Sequence, residues 1–240
     1  MSTNSMTLPA WADLEKRLQN VPGWSPLDQL YTIYTLILFA APAEGDCLEI
    51  GSWCGRSSIV LGLAARIRNK KLHCIDLFPG KDDWYRKADG TYYFVAEING
   101  KKYGGYQSQT VYADAFNKSI APLYEKKDSV RDYFDESIAA NELSSVVCAY
   151  RGDSLICNDL KRRGTKVALA FIDGDHSYEA TCQDIEQVES LLVPGGILCF
   201  DDAFSFYDGV NQAITDRIIN NPAYTVKQQM TRKCFVAKKG

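Results

Sequence analysis

Short apolar runs of strand length alternate along this chain with longer stretches of helical periodicity. "DCLEIG" (46–51), "KLHCIDLF" (71–78), "SSVVCAY" (144–150), "VALAFID" (167–173) and "GILCFDD" (196–202) are continuously apolar rather than alternating. That is the form of parallel strands covered on both faces. "SSIVLGLAARIRN" (57–69) and "SYEATCQDIEQVESLL" (177–192) read as helices, the second stopped by "VPGG". Pro26 opens a helix running to about Ala40, before Pro42. A further helix is predicted over 208–220, and "AYTVKQQM" (223–230) with "KCFVAK" (233–238) predicts a terminal hairpin. Strand–helix alternation of this kind specifies a three-layer α/β sandwich with ligands at the carboxyl ends of its strands.

Two stretches depart from the rhythm. Residues 1–42 form an expected N-terminal helical arm, with Trp11 and Trp24. Residues 79–142 hold Gly90, Gly100, Gly104, Gly105, an Asn99-Gly100 turn signal and nearly half of the aromatics. Helical patterns follow near 107–121 and 129–142. Such a broken segment predicts an insertion or lid on one domain, residues 1–240, rather than a second domain. Trp84, Tyr85, Tyr92, Tyr93, Tyr103 and Tyr106 offer apolar plates with polar tips, suited to covering a sugar ring or phenol.

Composition narrows the partners. A net charge of -3 gives no electrostatic reason to expect nucleic acid. The longest apolar stretch, "LYTIYTLILFAAPA" (30–43), is too short and too rich in tyrosine to span a bilayer. Of the eight cysteines, Cys74, Cys148 and Cys199 lie inside apolar runs, and no CxxC pair suggests zinc. A cytoplasmic, reduced chain with a small-molecule partner is expected. A homodimer fits the exposed aromatics expected on the insertion.

"CLEIGSWCGRSS" (47–58) is a strand, a glycine turn and a helix start. A dinucleotide site requires a second glycine two residues after the first, so that the backbone can approach a pyrophosphate. Trp53 occupies that position. The spacing is instead Glu49-x-Gly51-x-x-x-Gly55, and an acid before the first glycine suits an ammonium group. Asp76 ends the next strand, where a carboxylate can accept both hydroxyls of a ribose. Asp153 and Ser154 in "RGDS" are placed to meet an adenine edge. Ammonium, ribose and adenine without phosphate describe S-adenosylmethionine. Taken singly, these residues also serve as turn glycines or helix caps; Ser57 and Ser58 suit a cap.

The acids of "FIDGDHSYEA" (171–180) and "GILCFDD" pose a separate problem. If their strands are neighbours, about 4.8 Å apart, Asp173, Asp201 and Asp202 converge and repel. A divalent cation resolves that conflict. All-oxygen ligation favours Mg²⁺, with Mn²⁺ or Ca²⁺ as alternatives. Asp201 and Asp202 reach one ion together only if the chain has already left the strand. His176, with an ordinary pKa of about 6.5, suits a general base. Its other reading is a cofactor contact or a helix cap. His73 lies inside a strand and reads as structural.

Together "EIGSWCGRSS", "CIDLF", "YRGDS", "FIDGDHSYE" and "LLVPGGILCFDD" resemble the class I S-adenosylmethionine-dependent methyltransferases. Within these the chain is most similar to the metal-dependent small-molecule O-methyltransferases of the macrocin and novobiocin type. The match spans roughly residues 44–78 and 144–204, with motifs in register. The resemblance implies a Rossmann-like, seven-stranded, mostly parallel sheet with an antiparallel terminal strand and a lid inserted after the second strand. It implies a cofactor surface from Glu49, Gly51, Ser52, Trp53, Gly55, Ser57, Ser58, Asp76, Leu77, Asp153, Ser154, Asp173 and His176. It implies Mg²⁺ on Asp173, Asp201 and Asp202, and a hydroxylated small molecule as acceptor. His176 stands where catechol-type relatives carry a lysine base, and Asp175 stands where some sugar-modifying relatives place theirs. The cephalosporin-hydroxylase-like oxidative enzymes share the fold and similar acids, so they are a rival reading. A non-catalytic binding protein is another, and Trp53 disfavours a nicotinamide dehydrogenase.

Overall fold

The computed structural model describes residues 11–106 and 109–240. The chain runs α1 (Trp11–Leu18), α2 (Leu27–Phe39), β1 (Asp46–Ile50), α3 (Arg56–Ile67), β2 (Leu72–Asp76), β3 (Trp84–Arg86), β4 (Tyr92–Ile98) and β5 (Lys101–Gly105). It continues through α4 (Ala113–Ser119), α5 (Val130–Ala140), β6 (Val147–Arg151), α6 (Ile156–Arg162), β7 (Val167–Ile172) and α7 (Tyr178–Glu189). It ends with β8 (Leu192–Phe200), α8 (Asp208–Ile214), β9 (Tyr224–Gln229) and β10 (Phe235–Lys239).

Seven strands form one sheet in the order β6-β2-β1-β7-β8-β10-β9. Only β10 runs against the rest, pairing antiparallel with both β8 and β9. The expected architecture is therefore present, including the reversed last strand. The apolar runs are continuous because each strand serves two cores. Leu169 and Phe171 of β7 point into the layer holding α2, α3 and α5, whereas Ala170 and Ile172 point into the layer holding α6, α7 and α8. Each fully buried Leu, Ile or Phe adds about 1.5–3 kcal/mol. The eight cysteines are all free, and seven are buried as small apolar groups. Among the described residues no helix is long and apolar enough to cross a membrane.

The sheet reverses direction of growth at β1, which has β2 on one side and β7 on the other. Four backbone hydrogen bonds lace the carboxyl ends together at this point. Gly152 N–H donates to Asp76 O, Gly51 N–H to Ile75 O, Asp173 N–H to Ile50 O and Asp201 N–H to Ile172 O, at 2.8–3.0 Å. A crevice outside such a switch point is the expected ligand site of an open α/β sheet.

The inserted segment departs from expectation. It contains a second, antiparallel sheet, β3-β4-β5, that the glycine-rich pattern concealed. The Asn99-Gly100 signal is its hairpin turn, with φ of 53° and 77°. Positive φ at both positions matches the twist of the flanking strands. Trp84 holds the unit together. Its ring meets Phe94, Tyr106 and Phe116, and its Nε1–H donates to Tyr124 Oη at 2.8 Å. Of the two helices expected here, α5 closely matches 129–142, while α4 is shorter than 107–121, whose first two residues lie outside the described residues. The arm holds α1 and α2; its first ten residues also lie outside them.

Two further differences have local causes. The predicted stop "VPGG" is inside β8, which begins at Leu192 and bulges so that Val167 pairs with Leu192 but Leu169 with Ile197. Helix α7 ends earlier, at Glu189. Helix α6 was not expected: at seven residues it is too short for periodicity to register, although Asp159 in its first turn and Lys161 and Arg162 in its last fit the helix dipole.

Candidate active site

A cleft of about 1270 Å³ opens at the carboxyl edge of the main sheet, roofed by the inserted sheet and the arm. Its floor is the glycine loop. Gly51 has φ of 86°, and a Cβ there would lie 1.8 Å from the Asp173 carbonyl oxygen. Only glycine lets the ends of β1 and β7 close this tightly. Asp76 fixes the rest of the loop. Its Oδ2 accepts Trp53 N–H at 2.9 Å and its Oδ1 accepts Phe78 N–H at 2.5 Å. Both donors sit at positive φ, 46° and 44°. Burial raises the Asp76 pKa, and these backbone N–H bonds oppose the shift. The Ser52 backbone N–H also bonds this carboxyl, which still has acceptor capacity for a ligand hydroxyl.

Most of the expected cofactor residues line this cleft: Gly51, Ser52, Trp53, Ser57, Asp76, Leu77, Asp153, Ser154, Asp173 and His176. Gly55, Ser58 and Glu49 are not on its wall. Glu49 is fully buried beneath the loop, where its Oε2 accepts from the Ser58 hydroxyl and from the Cys74 thiol. Burial raises its pKa. Its placement makes it a support of the loop rather than a surface of the cleft. Ser154 accepts from Gln183 Nε2 at 3.2 Å, and beside it lies buried Asp184, its pKa pushed up to about 7 by burial.

Polar atoms without partners concentrate here. Trp53 Nε1 and His176 Nδ1 are buried, unbonded, and belong to residues lining the cleft. Buried polar groups are costly to leave unmatched, so a polar ligand fits this wall.

The acid cluster lies at the ends of β7 and β8. Asp202 has φ of 52°, so the chain turns out of the strand at this residue. The turn lets Asp201 and Asp202 face one point, which strand alternation alone forbids. The cation at that point belongs to the protein itself. Lys233 Nζ lies 2.8 Å from Asp202 Oδ1 and 3.4 Å from Asp201 Oδ1. Asp202 Oδ2 lies 3.2 Å from His176 Nε2. Burial first, then the charges of Asp201 and Asp202, holds Asp173 well above the ordinary carboxyl range. Burial lowers the His176 pKa despite these acids. The side chains whose donor atoms come within 4.8 Å of one another are Asp173, His176 and Asp202. In the expected metal set Asp201 stood in place of His176. Asp201 stays in contact with the cluster through a hydrogen bond between its carboxyl and that of Asp173, while its Oδ1 accepts its neighbour's N–H at 2.6 Å and lies 3.4 Å from Lys233 Nζ. Asp175, the alternative base, accepts Ser177 N–H at 2.9 Å at the start of α7.

Tyr207, Gln109 and Arg56 escaped the sequence reading, whereas Tyr106 and Trp24 did not. Tyr207 packs against His176 with centroids 3.9 Å apart and the rings tilted by 36°, and its hydroxyl accepts from Gln109 Nε2 at 2.9 Å. Tyr106 brings a phenol from the insertion toward Asp76 and Asp173, and burial chiefly raises its pKa. Trp24 of the arm lies 5.5 Å from Trp53. Arg56 holds that arm by donating to the carbonyls of Leu18, Val21 and Ser25. Of the six aromatics expected to cover the site, Tyr103 and Tyr106 line the cleft. Trp84 and Tyr92 pack inward, and Tyr85 stacks on Tyr93. Trp24, Tyr112 and Phe206 line the cleft while staying 53%, 67% and 81% exposed.

Lys233 was legible only through register. Phe235 of β10 pairs with Phe200 of β8. Two more residues along each antiparallel strand set Lys233 opposite Asp202, and Ala203 N–H donates to Lys233 O at 3.0 Å just beyond.

Comparison with known proteins adds three findings on fold and one on family. A family profile described as a methyltransferase domain matches residues 48–203. An O-methyltransferase from Bacillus cereus in complex with SAH is similar at a TM-score of 0.58 and 14% identity, over 98% of this chain and 94% of that one. The TDP-rhamnose 3'-O-methyltransferase of calicheamicin biosynthesis is similar at 0.55 and 15%, over 100% of both chains. The O-methyltransferase TomG from Streptomyces achromogenes, involved in tomaymycin synthesis and in complex with SAM, is similar at 0.54 and 15%, over 95% and 86%.

Proposed function

Because the chain belongs to this methyltransferase family, we propose that it moves the methyl group of S-adenosylmethionine onto a hydroxyl oxygen of a small molecule. The observation that carries the reading is the His176–Asp202 pair at 3.2 Å, set beside the glycine loop with His176 Nδ1 buried and without a partner. The SAM- and SAH-bound proteins of the same fold support the choice of donor.

When bound, the sulfonium supplies an electrophilic methyl group. The chain's residues divide the remaining work. Asp76 offers its carboxylate oxygens to the ribose hydroxyls, Asp153 and Ser154 serve the adenine, and Trp53 presents the unmatched Nε1–H of the loop. Burial disfavours the charged form of His176, against the pull of the acids around it. Its Nε2–H donates to Asp202, which leaves Nδ1 as the acceptor for the substrate's hydroxyl proton. Asp202 then stabilises the imidazolium, as an orienting carboxylate does beside any histidine base. Tyr207, packed against the ring, restricts its rotation.

Asp173, His176 and Asp202 also fit a divalent cation, which would supply Lewis acidity toward a substrate hydroxyl. An imidazole in the set suits Mn²⁺ as well as Mg²⁺. With His176 engaged as a ligand, Asp175 is the carboxylate left for the proton. The exposed aromatics Trp24, Tyr112 and Phe206 suit a flat or sugar-bearing acceptor.

The test is product mass after incubation with S-adenosylmethionine and a panel of phenols and sugar nucleotides. A gain of one methylene is expected. His176→Ala should lower turnover by about 10³-fold while donor affinity, measured by calorimetry, stays within threefold. A gain of one oxygen would transfer the protein to the oxidative reading, and absence of donor binding would end the proposal.

A further inference from the structure

The acid cluster is already matched by a cation that the chain brings itself. Lys233 enters from the loop joining β9 and β10, and its side chain is 19% exposed. Its ammonium is 2.8 Å from Asp202 Oδ1 and 3.4 Å from Asp201 Oδ1. The other oxygen of Asp202 faces His176. Both oxygens of this carboxylate are therefore in use, and Asp202 is one of the three side chains that converge closely enough to hold a metal.

We propose that Lys233 is a resident counter-ion that competes with a divalent cation for Asp202, and so sets the metal affinity of the site. The inference rests on the cluster being the cation site proposed above. Three converging carboxylates, those of Asp201 and Asp202 buried and that of Asp173 half-buried, repel one another without a positive partner in a medium that screens poorly. The ammonium relieves that repulsion when no metal is present. A dication on the same carboxylate meets a like charge fixed against it, so the ion binds fully only when the ammonium withdraws. Lysine is suited to this exchange, because its charge is compact and its stem has four rotatable carbons. The backbone around it is held by the Ala203–Lys233 bond and by the Met230–Cys234 bond at 2.8 Å. The side chain can therefore withdraw without disturbing the strand. The result is a site whose repulsion is partly relieved without metal, with weaker affinity than its acids alone would give.

The experiment measures Mn²⁺ binding by paramagnetic resonance and calorimetry on the full chain, without methyl donor or acceptor. Lys233→Met should bind Mn²⁺ at least tenfold more tightly than the natural protein, Lys233→Arg should stay within threefold of it, and Asp173→Asn should weaken binding in each background. Should Lys233→Met fail to fold, the natural protein carries the test. The reactivity of Lys233 toward an amine-acetylating reagent, read by peptide mass, should rise severalfold on saturation with Mn²⁺. Unchanged or weaker binding in Lys233→Met, or unchanged Lys233 reactivity, with Asp173→Asn still weakening binding, overturns the competition and leaves the metal site standing. Binding insensitive to Asp173→Asn, or no binding by any of these proteins, removes the metal site and the competition together.

Discussion

The main sheet and the inserted sheet solve the same packing problem with different materials. In the main sheet, parallel strands are buried on both faces and end together along one lace of backbone hydrogen bonds. Its carboxyl rim buries Glu49, Asp184, Asp201 and Asp202, and that rim carries the polar chemistry. The inserted sheet is antiparallel and short. Its described core is a knot of rings around Trp84, and what it lends to the cleft includes Phe94, Tyr103 and Tyr106 beside Lys102. The contrast separates two tasks. Fixed strand ends hold charges that tolerate little displacement, whereas ring packing offers a surface whose shape can vary without cost to the sheet beneath.

That division can be broken most severely at Gly51. A Cβ there meets the Asp173 backbone, which has no rotamer to yield, and φ is left-handed. Gly51→Ala should cost more than about 4 kcal/mol and prevent recovery of folded protein, read by urea unfolding of whatever is soluble. A variant that folds with normal donor binding would show that the rim is less rigid than the lace of bonds implies.

A somewhat smaller effect is expected at Asp184, whose carboxyl is pushed up to about 7 by burial. An aspartate in the unfolded chain titrates near about 3.9, so between about pH 4 and pH 7 the folded form holds the extra proton. Stability therefore falls as pH rises through that window, by on the order of 4 kcal/mol in total, and the loss is complete above pH 7. Asp184→Asn should remove this contribution and unfold at higher urea than the natural protein at pH 8, with little difference at pH 4. Equal slopes of stability against pH in the two proteins would show that burying acids at the rim carries no such cost.

The smallest of the three concerns the insertion. Trp84→Ala empties the centre of the ring cluster, a local loss of about 3 kcal/mol. Hydrogen exchange should accelerate across β3, β4 and β5 and remain slow in β1 and β7. Donor affinity should change less than threefold while acceptor turnover collapses. Equal acceleration in both sheets would mean that the two regions are one cooperative unit.

How much the sequence disclosed follows the same boundary. Continuous apolar runs ending in Gly51, Asp76, Asp173 and Asp201 announced the main sheet and its rim, because burial on two faces leaves a pattern that few other structures share. The insertion was legible as an interruption and as a turn at Asn99-Gly100, but its strands were not. Short antiparallel strands such as β3 and β5, three and five residues long, carry too little periodicity. Contacts made by a single residue from a distant element were the least legible. Tyr207, Gln109 and Lys233 belong to no motif and acquire meaning only when register and loop path bring them to His176 and Asp202. His176 itself was singled out, but its pairing with Asp202 was not, since that depends on the left-handed turn at Asp202.

The Trp24–Trp53 pair makes the cleft optically addressable. Both indoles line it, one from the arm and one from the glycine loop, so occupancy alters the surroundings of two fluorophores at once. Emission from the unlabelled chain, with Trp11 and Trp84 as the constant background, thus reports on the filling of the cleft, and a screen for acceptors can begin from light rather than from turnover.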